Sequence, residues 1–153
     1  MANNYYQVTL HIVFAVRNRE ALIEDTFREN LHAYITGIIK NHDQKLLTIN
    51  SMHDHIHLLI GLAPSMRLSD LVREIKSASS KYINENNLSR KKFYWQNGYG
   101  VFSYSMSHRK NVIRYIENQR EHHRKMTFQK EYIKFLESFK IEYNRKYLFD
   151  FFD

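Results

Sequence analysis

The sequence contains no cysteine, one proline and only four glycines in 153 residues. Without cysteine there is no disulfide framework, no thiolate metal site and no cysteine nucleophile. The scarcity of glycine and proline predicts long elements joined by short connections. No apolar run reaches the ~18–20 residues that a membrane-spanning helix needs. The N-terminus lacks basic lead residues and carries His11 inside its apolar stretch, which is not typical of a signal peptide, so we expect a cytoplasmic protein.

The composition favours a polyanionic partner. Lys and Arg (23) exceed Asp and Glu (16) by seven charges, and there are nine histidines that a nearby polyanion helps to protonate. Aromatic residues reach 14%, including eleven tyrosines. Positive charge mixed with flat side chains is typical of surfaces that bind phosphates and stack bases, although many other basic proteins share it.

The hydrophobic periodicity predicts an α+β fold with one domain over residues 1–153. Strands are predicted at 6–16, 45–53 and 55–63 and in the later half of 93–105; helices are predicted at 22–41, 68–86, about 108–125 and from Phe128 to Phe139. The order βαββαβ is that of a ferredoxin-like antiparallel sheet with helices on one face, here over about 1–126. Residues 127–153 add a C-terminal helix and an aromatic tail. The second sheet face is expected to be open for a ligand or for further helices.

Two histidines begin the third strand. Because side chains alternate along a strand, His55 and His57 project from one face while Ile56 projects from the other, toward the helical core. Two imidazoles side by side on a rigid strand can supply two ligands to a divalent metal. Alternatively, they are two neutral histidines on a hydrated sheet face.

A tyrosine and a glutamine lie one turn apart on the third predicted helix. Tyr115 and Gln119 share a helix face because they are four residues apart. The amide oxygen of Gln119 is a suitable ligand for Mg²⁺ or Mn²⁺, and His122 competes with it as the third ligand. The Tyr115 hydroxyl is a candidate nucleophile, although a helix tyrosine often serves only in packing.

Together these residues specify a site for phosphoryl transfer. Two histidines and a glutamine leave open positions on a metal, one of which suits a phosphodiester oxygen. Tyr115 would supply the nucleophile. The chain has no Gly-rich phosphate loop, so no nucleotide cofactor is expected.

These residues resemble a known family. The strand HDHIHLLI is similar to the HUH motif of the single-tyrosine transposases of the insertion-sequence 200/605 class, and YIENQREHH is similar to their Tyr-x-x-x-Gln helix. The segment WQNGYGVFSYS and the C-terminal FLESFKIEYNRKYL also resemble members of this family. The chain departs from many relatives at His53-Asp54, where they have Pro-Asp.

The resemblance implies an activity on single-stranded DNA. It implies that His55, His57 and Gln119 hold Mg²⁺ or Mn²⁺ and that Tyr115 attacks the scissile phosphate, giving a 5′-phosphotyrosine link and a free 3′-hydroxyl. It also implies homodimers that recognise hairpins at the ends of a mobile element. Their active sites can be composite, with the histidine pair from one subunit and the tyrosine helix from the other.

Further residues are candidates for DNA contacts and for support of the metal site. The exposed basic candidates on several elements are Arg17, Arg19, Lys76, Lys81, Arg109 and Arg114. Trp95 and Tyr99 could stack bases or pack in an interface. His11 lies on the polar face of the first strand and is a candidate to support a metal ligand.

Two other functions remain open at this stage. One is a non-catalytic module that resembles an RNA-recognition motif and binds single strands on its sheet. The other is a domesticated, repeat-associated relative that binds and nicks palindromic DNA without moving an element.

Overall fold

The computed structural model describes residues 3–144 and 148. The strands are β1 Thr9–Ala15, β2 Lys45–Ser51, β3 His55–Gly61 and β4 Gly100–Tyr104. The helices are α1 Asp25–Asn41, α2 Leu68–Glu85, α3 Arg109–Glu117, α4 Gln119–His123 and α5 Phe128–Ser138, with short 3₁₀ turns at Arg17–Arg19 and Met106–His108. The predicted α+β class and the predicted order of strands and helices are confirmed.

The four strands form one antiparallel sheet in the order β2-β3-β1-β4. This is the order that a ferredoxin-like βαββαβ chain produces, with β1 and β3 in the centre. In the register of the central pair, Ala15 lies opposite His55 and Val13 lies opposite His57. The two histidines are therefore carried by a central strand, hydrogen-bonded on both sides.

One face of the sheet packs against α1 and α2. Ile12 of β1 and Ile56 of β3 are fully buried in the same apolar cluster as Leu31 of α1 and Ile75 of α2. The prediction that Ile56 faces the helical core is thus confirmed. His55 and His57 accordingly face the opposite side.

The C-terminal helices cover that opposite face. Val13 and Phe102 of the sheet pack with Phe128 and Leu136 of α5, and Leu59 packs with Ile116 of α3. The face that the sequence leaves open for a ligand or for further helices is thus occupied by helices. The site described below lies between the sheet and these helices.

The prediction of one continuous helix from about His108 to Lys125 is wrong. The chain leaves helical geometry at Asn118 (φ −95°, ψ 27°), so that α3 ends at Glu117 and α4 begins at Gln119. Asn50 of β2 stabilises the break, because its Nδ2 atom donates to the carbonyl oxygens of Ile116 (2.8 Å) and Glu117 (3.2 Å). These carbonyls would otherwise lack partners at a helix C-terminus.

Other boundaries differ by a few residues from the sequence expectation. β1 begins at Thr9 rather than at residue 6, and α1 begins at Asp25 rather than at residue 22. Most of the aromatic tail predicted from Tyr147 onward lies outside the described residues. In the described part of the chain, no helix combines the length and apolar character that crossing a membrane requires.

Candidate active site

His55 and His57 point their Nε2 atoms toward a common centre between β3 and the C-terminal helices. The Nδ1 atom of His55 lies 2.6 Å from Oδ1 of Asp54, and the Nδ1 atom of His57 lies 2.8 Å from Nε2 of His11. Each ring is thus oriented by a hydrogen bond at one nitrogen, which leaves the other nitrogen for the site. His11 makes the contact that its predicted supporting role requires.

Glu131 of α5 completes the centre. Its Oε1 atom lies 3.0 Å from Nε2 of His57, 3.6 Å from Nε2 of His55 and 3.2 Å from Nε2 of His123. The ligand atoms of these four residues all lie within 4.8 Å of one another. Glu131 is 2% exposed, so its charge is balanced inside the protein rather than by solvent.

Gln119 also faces this centre. Its Oε1 atom lies 2.9 Å from Nε2 of His123 and 3.4 Å from Nε2 of His55, and the side chain is fully buried. His122, the competing third ligand, lies elsewhere: its ring stacks on Tyr115, with 4.3 Å between ring centroids. The helix therefore presents Gln119 and His123 to the cluster, and not His122.

Tyr115 reaches the cluster of its own chain. Its hydroxyl donates a hydrogen bond to Oε2 of Glu131, and its ring centroid lies 6.2 Å from that of His57. The side chain is half-buried, so the phenol is not sealed in the apolar core. Burial raises the pKa of Tyr115 above its usual value, and the Glu131 carboxylate raises it further.

The Glu131 carboxylate and the histidines around it shift one another's pKa values. Burial by itself would raise the pKa of Glu131, but the hydrogen bonds with His123 and His57, together with the charges of His57 and His55, outweigh burial and hold that pKa far below its usual range. The Glu131 carboxylate also raises the pKa of His123 despite burial. Burial lowers the pKa of His57 and of His11, so both favour the neutral form that binds a metal.

The donor set fits a divalent cation. Three imidazole nitrogens and the oxygens of Gln119 and Glu131 converge from a rigid strand and two helices. The imidazole nitrogens suit divalent transition metals, and the amide and carboxylate oxygens suit harder divalent ions as well. One negative charge among the ligands offsets part of the charge of the cation.

His123 and Glu131 were missed as site residues from the sequence. His123 shares a helical stripe with Val112 and Ile116, which indicates packing rather than ligation. Glu131 lies between Phe128 and Phe135 on the apolar stripe of α5. An acid on an otherwise apolar stripe is the signal that could have identified it, because burial of a carboxylate requires partners.

The basic candidates do not form one patch. Lys81 lies 3.8 Å from Glu85 on the outer face of α2, and the Nε atom of Arg109 donates to Oγ1 of Thr9 (2.8 Å). Arg114 is exposed on α3, and Arg19 donates to Oε1 of Gln129 across 3.4 Å. The last two candidates, Arg17 and Lys76, lie beside the segment 93–99.

Trp95 and His53 do not take part in the candidate site. Trp95 is 7% exposed, packs edge-on against Phe14 and donates from Nε1 to Oγ of Ser79 (2.9 Å), so it is a core residue and not a base-stacking platform. His53 is exposed and lies 3.5 Å from Asp25. The turn at Asp54 thus directs His53 away from His55, His57, His123 and Glu131.

The chain matches a family model described as "Transposase IS200 like" over residues 4–119. It is 25% identical over 121 residues to the ISDra2 transposase TnpA of Deinococcus radiodurans, covering 76% of this chain and 86% of that protein. His123 and Glu131 lie beyond residue 119, where the match to the family model ends.

Two solved structures share the fold. A crystal structure of a protein from Deinococcus radiodurans R1 assigned as a transposase has a TM-score of 0.63 and 24% identity, covering 78% of this chain and 95% of that one. A REP-associated tyrosine transposase bound to a REP hairpin has a TM-score of 0.61 and 17% identity, covering 80% of this chain and 74% of that one.

Proposed function

Because the chain belongs to the IS200-like transposase family, we propose that it is a metal-dependent transposase that cleaves and rejoins single-stranded DNA through a 5′-phosphotyrosine intermediate on Tyr115. The observation that carries this proposal is the convergence of the Tyr115 hydroxyl with His55, His57 and Gln119 around one centre in a single chain. A nucleophile and a metal site so close together are what a phosphodiester transfer requires.

Each side chain of the site has a separate task. His55 and His57 would hold the cation through Nε2, and Gln119 would contribute its amide oxygen. Asp54 and His11 orient the two imidazole rings through their Nδ1 atoms. A bound Mg²⁺ or Mn²⁺ would supply charge neutralisation at the non-bridging oxygens of the scissile phosphate. Tyr115 is then the residue that forms the covalent bond to the phosphate.

The covalent step exchanges one phosphate ester for another. The Tyr115 phenol loses its proton and its oxygen forms a bond to phosphorus, the bond between phosphorus and the 3′ oxygen breaks, and the departing oxygen takes up a proton to become a 3′-hydroxyl, so that the proton count is unchanged. Reversal by another 3′-hydroxyl rejoins the strand and frees Tyr115. No nucleotide cofactor is needed, because the energy of the phosphodiester is kept in the phosphotyrosine.

The DNA partner is proposed to carry hairpins at the element ends. The REP-associated relative bound to a REP hairpin supports this choice, and so does the net charge of +7. Assembly into a homodimer stays a prediction. A composite site is not required for contact between the nucleophile and the metal ligands, because Tyr115 touches the carboxylate of its own chain.

The experiment is incubation of the protein with single-stranded DNA from the flanks of its gene in the presence of Mn²⁺. A denaturing gel should reveal a protein–DNA adduct that maps to Tyr115. Tyr115→Phe should abolish the adduct and leave hairpin binding within about twofold, and Tyr34→Phe on α1 is the matched control. Hairpin binding without any adduct would overturn the catalytic proposal and favour a binding module.

A further inference from the structure

A second concave site lies between α2 and the segment 93–99, and none of the candidate metal ligands lines it. This cleft has a volume of about 400 Å³, and we call it the Tyr99 cleft. Its lining residues are Ser69, Val72, Arg73, Lys76, Ser77, Ser80 and 94–99. No acidic side chain lines it in the described part of the chain.

Two aromatic rings, those of Tyr94 and Tyr99, are exposed at the cleft, whereas the aromatic residues on either side of Tyr94 are buried. Tyr94 and Tyr99 are 38% and 39% exposed, whereas Phe93 and Trp95 pack edge-on against each other in the core. The guanidinium carbon of Arg17 lies 4.2 Å from the centroid of the Tyr94 ring, so one face of that ring is already covered. Tyr99 is the better platform for a flat ligand.

The positively charged side chain of Lys76 lines the cleft. The Nζ atom of Lys76 donates to the carbonyl oxygens of Gln96 (2.8 Å) and Gly98 (2.5 Å) and lies 5.8 Å from the centroid of the Tyr99 ring. An ammonium has three donors, so a third N–H remains for a ligand. Burial lowers the pKa of Lys76 to about 8, and a bound anion would favour its charged form.

The cleft shares lining residues with a second cavity that is bounded by Phe128. A smaller cavity of about 210 Å³ shares the wall 96–99 and is bounded on its other side by Phe128. The Phe128 ring stacks on His55, with 4.2 Å between centroids. Tyr99 and Phe128 thus line one cavity, and the Phe128 ring contacts His55.

We propose that the Tyr99 cleft binds an unpaired nucleotide of the DNA strand near the scissile phosphate, with the base stacked on Tyr99 and a phosphate beside Lys76. The inference rests on the proposed function, because that function supplies a single strand next to His55. A duplex does not fit this role, since its bases are already stacked on each other. A cationic floor beside an exposed ring is the combination that single-strand sites use.

The test measures binding of a short fluorescent oligothymidine and of a blunt DNA hairpin to three variants. Tyr99→Leu should weaken oligothymidine binding about tenfold, because stacking of a base on an aromatic ring contributes ~1–3 kcal/mol. Tyr99→Phe keeps the ring and should bind like the wild type. Tyr34→Leu, an exposed tyrosine on α1, is the control and should change nothing.

Three results would overturn the assignment. Unchanged oligothymidine binding by Tyr99→Leu would exclude stacking on this ring, and an equal loss for the blunt hairpin would exclude recognition of an unpaired base. Tighter binding of oligouridine than of oligothymidine would exclude DNA as the ligand. A melting temperature within about 2 °C of the wild type would establish that Tyr99→Leu is folded.

The adduct assay separates this inference from the proposed function. If wild-type protein forms the Tyr115 adduct and Tyr99→Leu forms it equally well at limiting DNA, the cleft proposal fails and the proposed function stands. If no adduct forms but Tyr99→Leu selectively loses oligothymidine binding, the proposed chemistry fails and the cleft remains a single-strand site.

Discussion

Oε1 of Glu131 lies 3.0 Å from Nε2 of His57, although the two residues are 74 positions apart in the chain. The other oxygen of the same carboxylate accepts the Tyr115 hydroxyl. One buried side chain of α5 therefore contacts both the strand that supplies the imidazoles and the helix that supplies the phenol. Helix α5 thus contributes a side chain to the candidate active site as well as covering the sheet.

Replacement of Glu131 by Gln should weaken Mn²⁺ binding by at least tenfold. The substitution preserves shape but removes the one negative charge of the donor group. Loss of a residue that only supports a metal ligand typically costs about 10–100-fold in metal affinity, so loss of a carboxylate ligand should cost at least tenfold. Titration followed by electron paramagnetic resonance measures the free ion directly. Glu137→Gln, at an exposed position of the same helix, is the control. Unaltered affinity in Glu131→Gln would mean that the carboxylate is not a ligand.

Manganese should stabilise the wild-type protein and not His57→Ala. At an ion concentration about 100-fold above the dissociation constant, binding contributes ~2.7 kcal/mol, which corresponds to a rise in melting temperature of roughly 5–10 °C. Thermal unfolding with Mn²⁺ and with EDTA measures this difference. His57→Ala should stay folded but lose the rise. A full rise in His57→Ala would place the cation elsewhere.

Asn50→Ala should destabilise α3, which carries Tyr115, and α4, which follows it. Its amide satisfies the last carbonyls of α3, and loss of such hydrogen bonds costs ~1–2 kcal/mol. Hydrogen exchange should accelerate at residues 109–123 more than in α1. Asn86→Ala, at the exposed C-terminus of α2, is the comparison. Uniform acceleration over both regions would indicate a global rather than a local effect.

His32 should make the protein sensitive to mild acid. Its Nε2 atom lies 2.7 Å from Oγ of Ser51. Burial lowers the pKa of His32 to about 4; the Glu29 carboxylate opposes this shift, and the Arg28 guanidinium adds to it. The unfolded chain takes up this proton below about pH 6.5 while the folded chain does not, so stability falls as the pH falls from 6.5 toward 4. The loss is ~2 kcal/mol at pH 5.

The variant His32→Gln isolates this effect from the histidines of the metal cluster. It keeps a donor for Ser51 and cannot titrate. Denaturant unfolding at pH 7 and pH 5 should give a difference about 2 kcal/mol smaller in the variant than in the wild type. Equal pH dependence would mean that His32 is not the group that responds.

The fold could be predicted from the sequence because its signals are local. Alternation in β1 and β3 and the helical spacing of α1 and α2 each occur within one element, and their order determines the sheet. The break at Asn118 could not be predicted in this way. It depends on the side chain of Asn50, which reaches the end of α3 from a distant strand.

The candidate metal site could be predicted in part, because some of its residues are close together in the sequence. His55 and His57 are two residues apart on one strand, so their common direction follows from the pleat. Gln119 and Tyr115 are one turn apart, and the resemblance covers them. Glu131 joins them only through the packing of α5 on the sheet, and no local period indicates where that helix docks.

The turn at Asp54 has a consequence for the first imidazole. The backbone oxygen of Asp54 accepts from the amide of Val16 (2.8 Å), that of His53 accepts from the amide of Ile23 (2.9 Å), and the Asp54 carboxylate holds His55. The connection between β1 and α1 thus anchors the turn that aims this ring. An insertion or deletion between residues 16 and 23 should misdirect His55 and impair adduct formation, even though His55, His57 and Gln119 would themselves be unchanged.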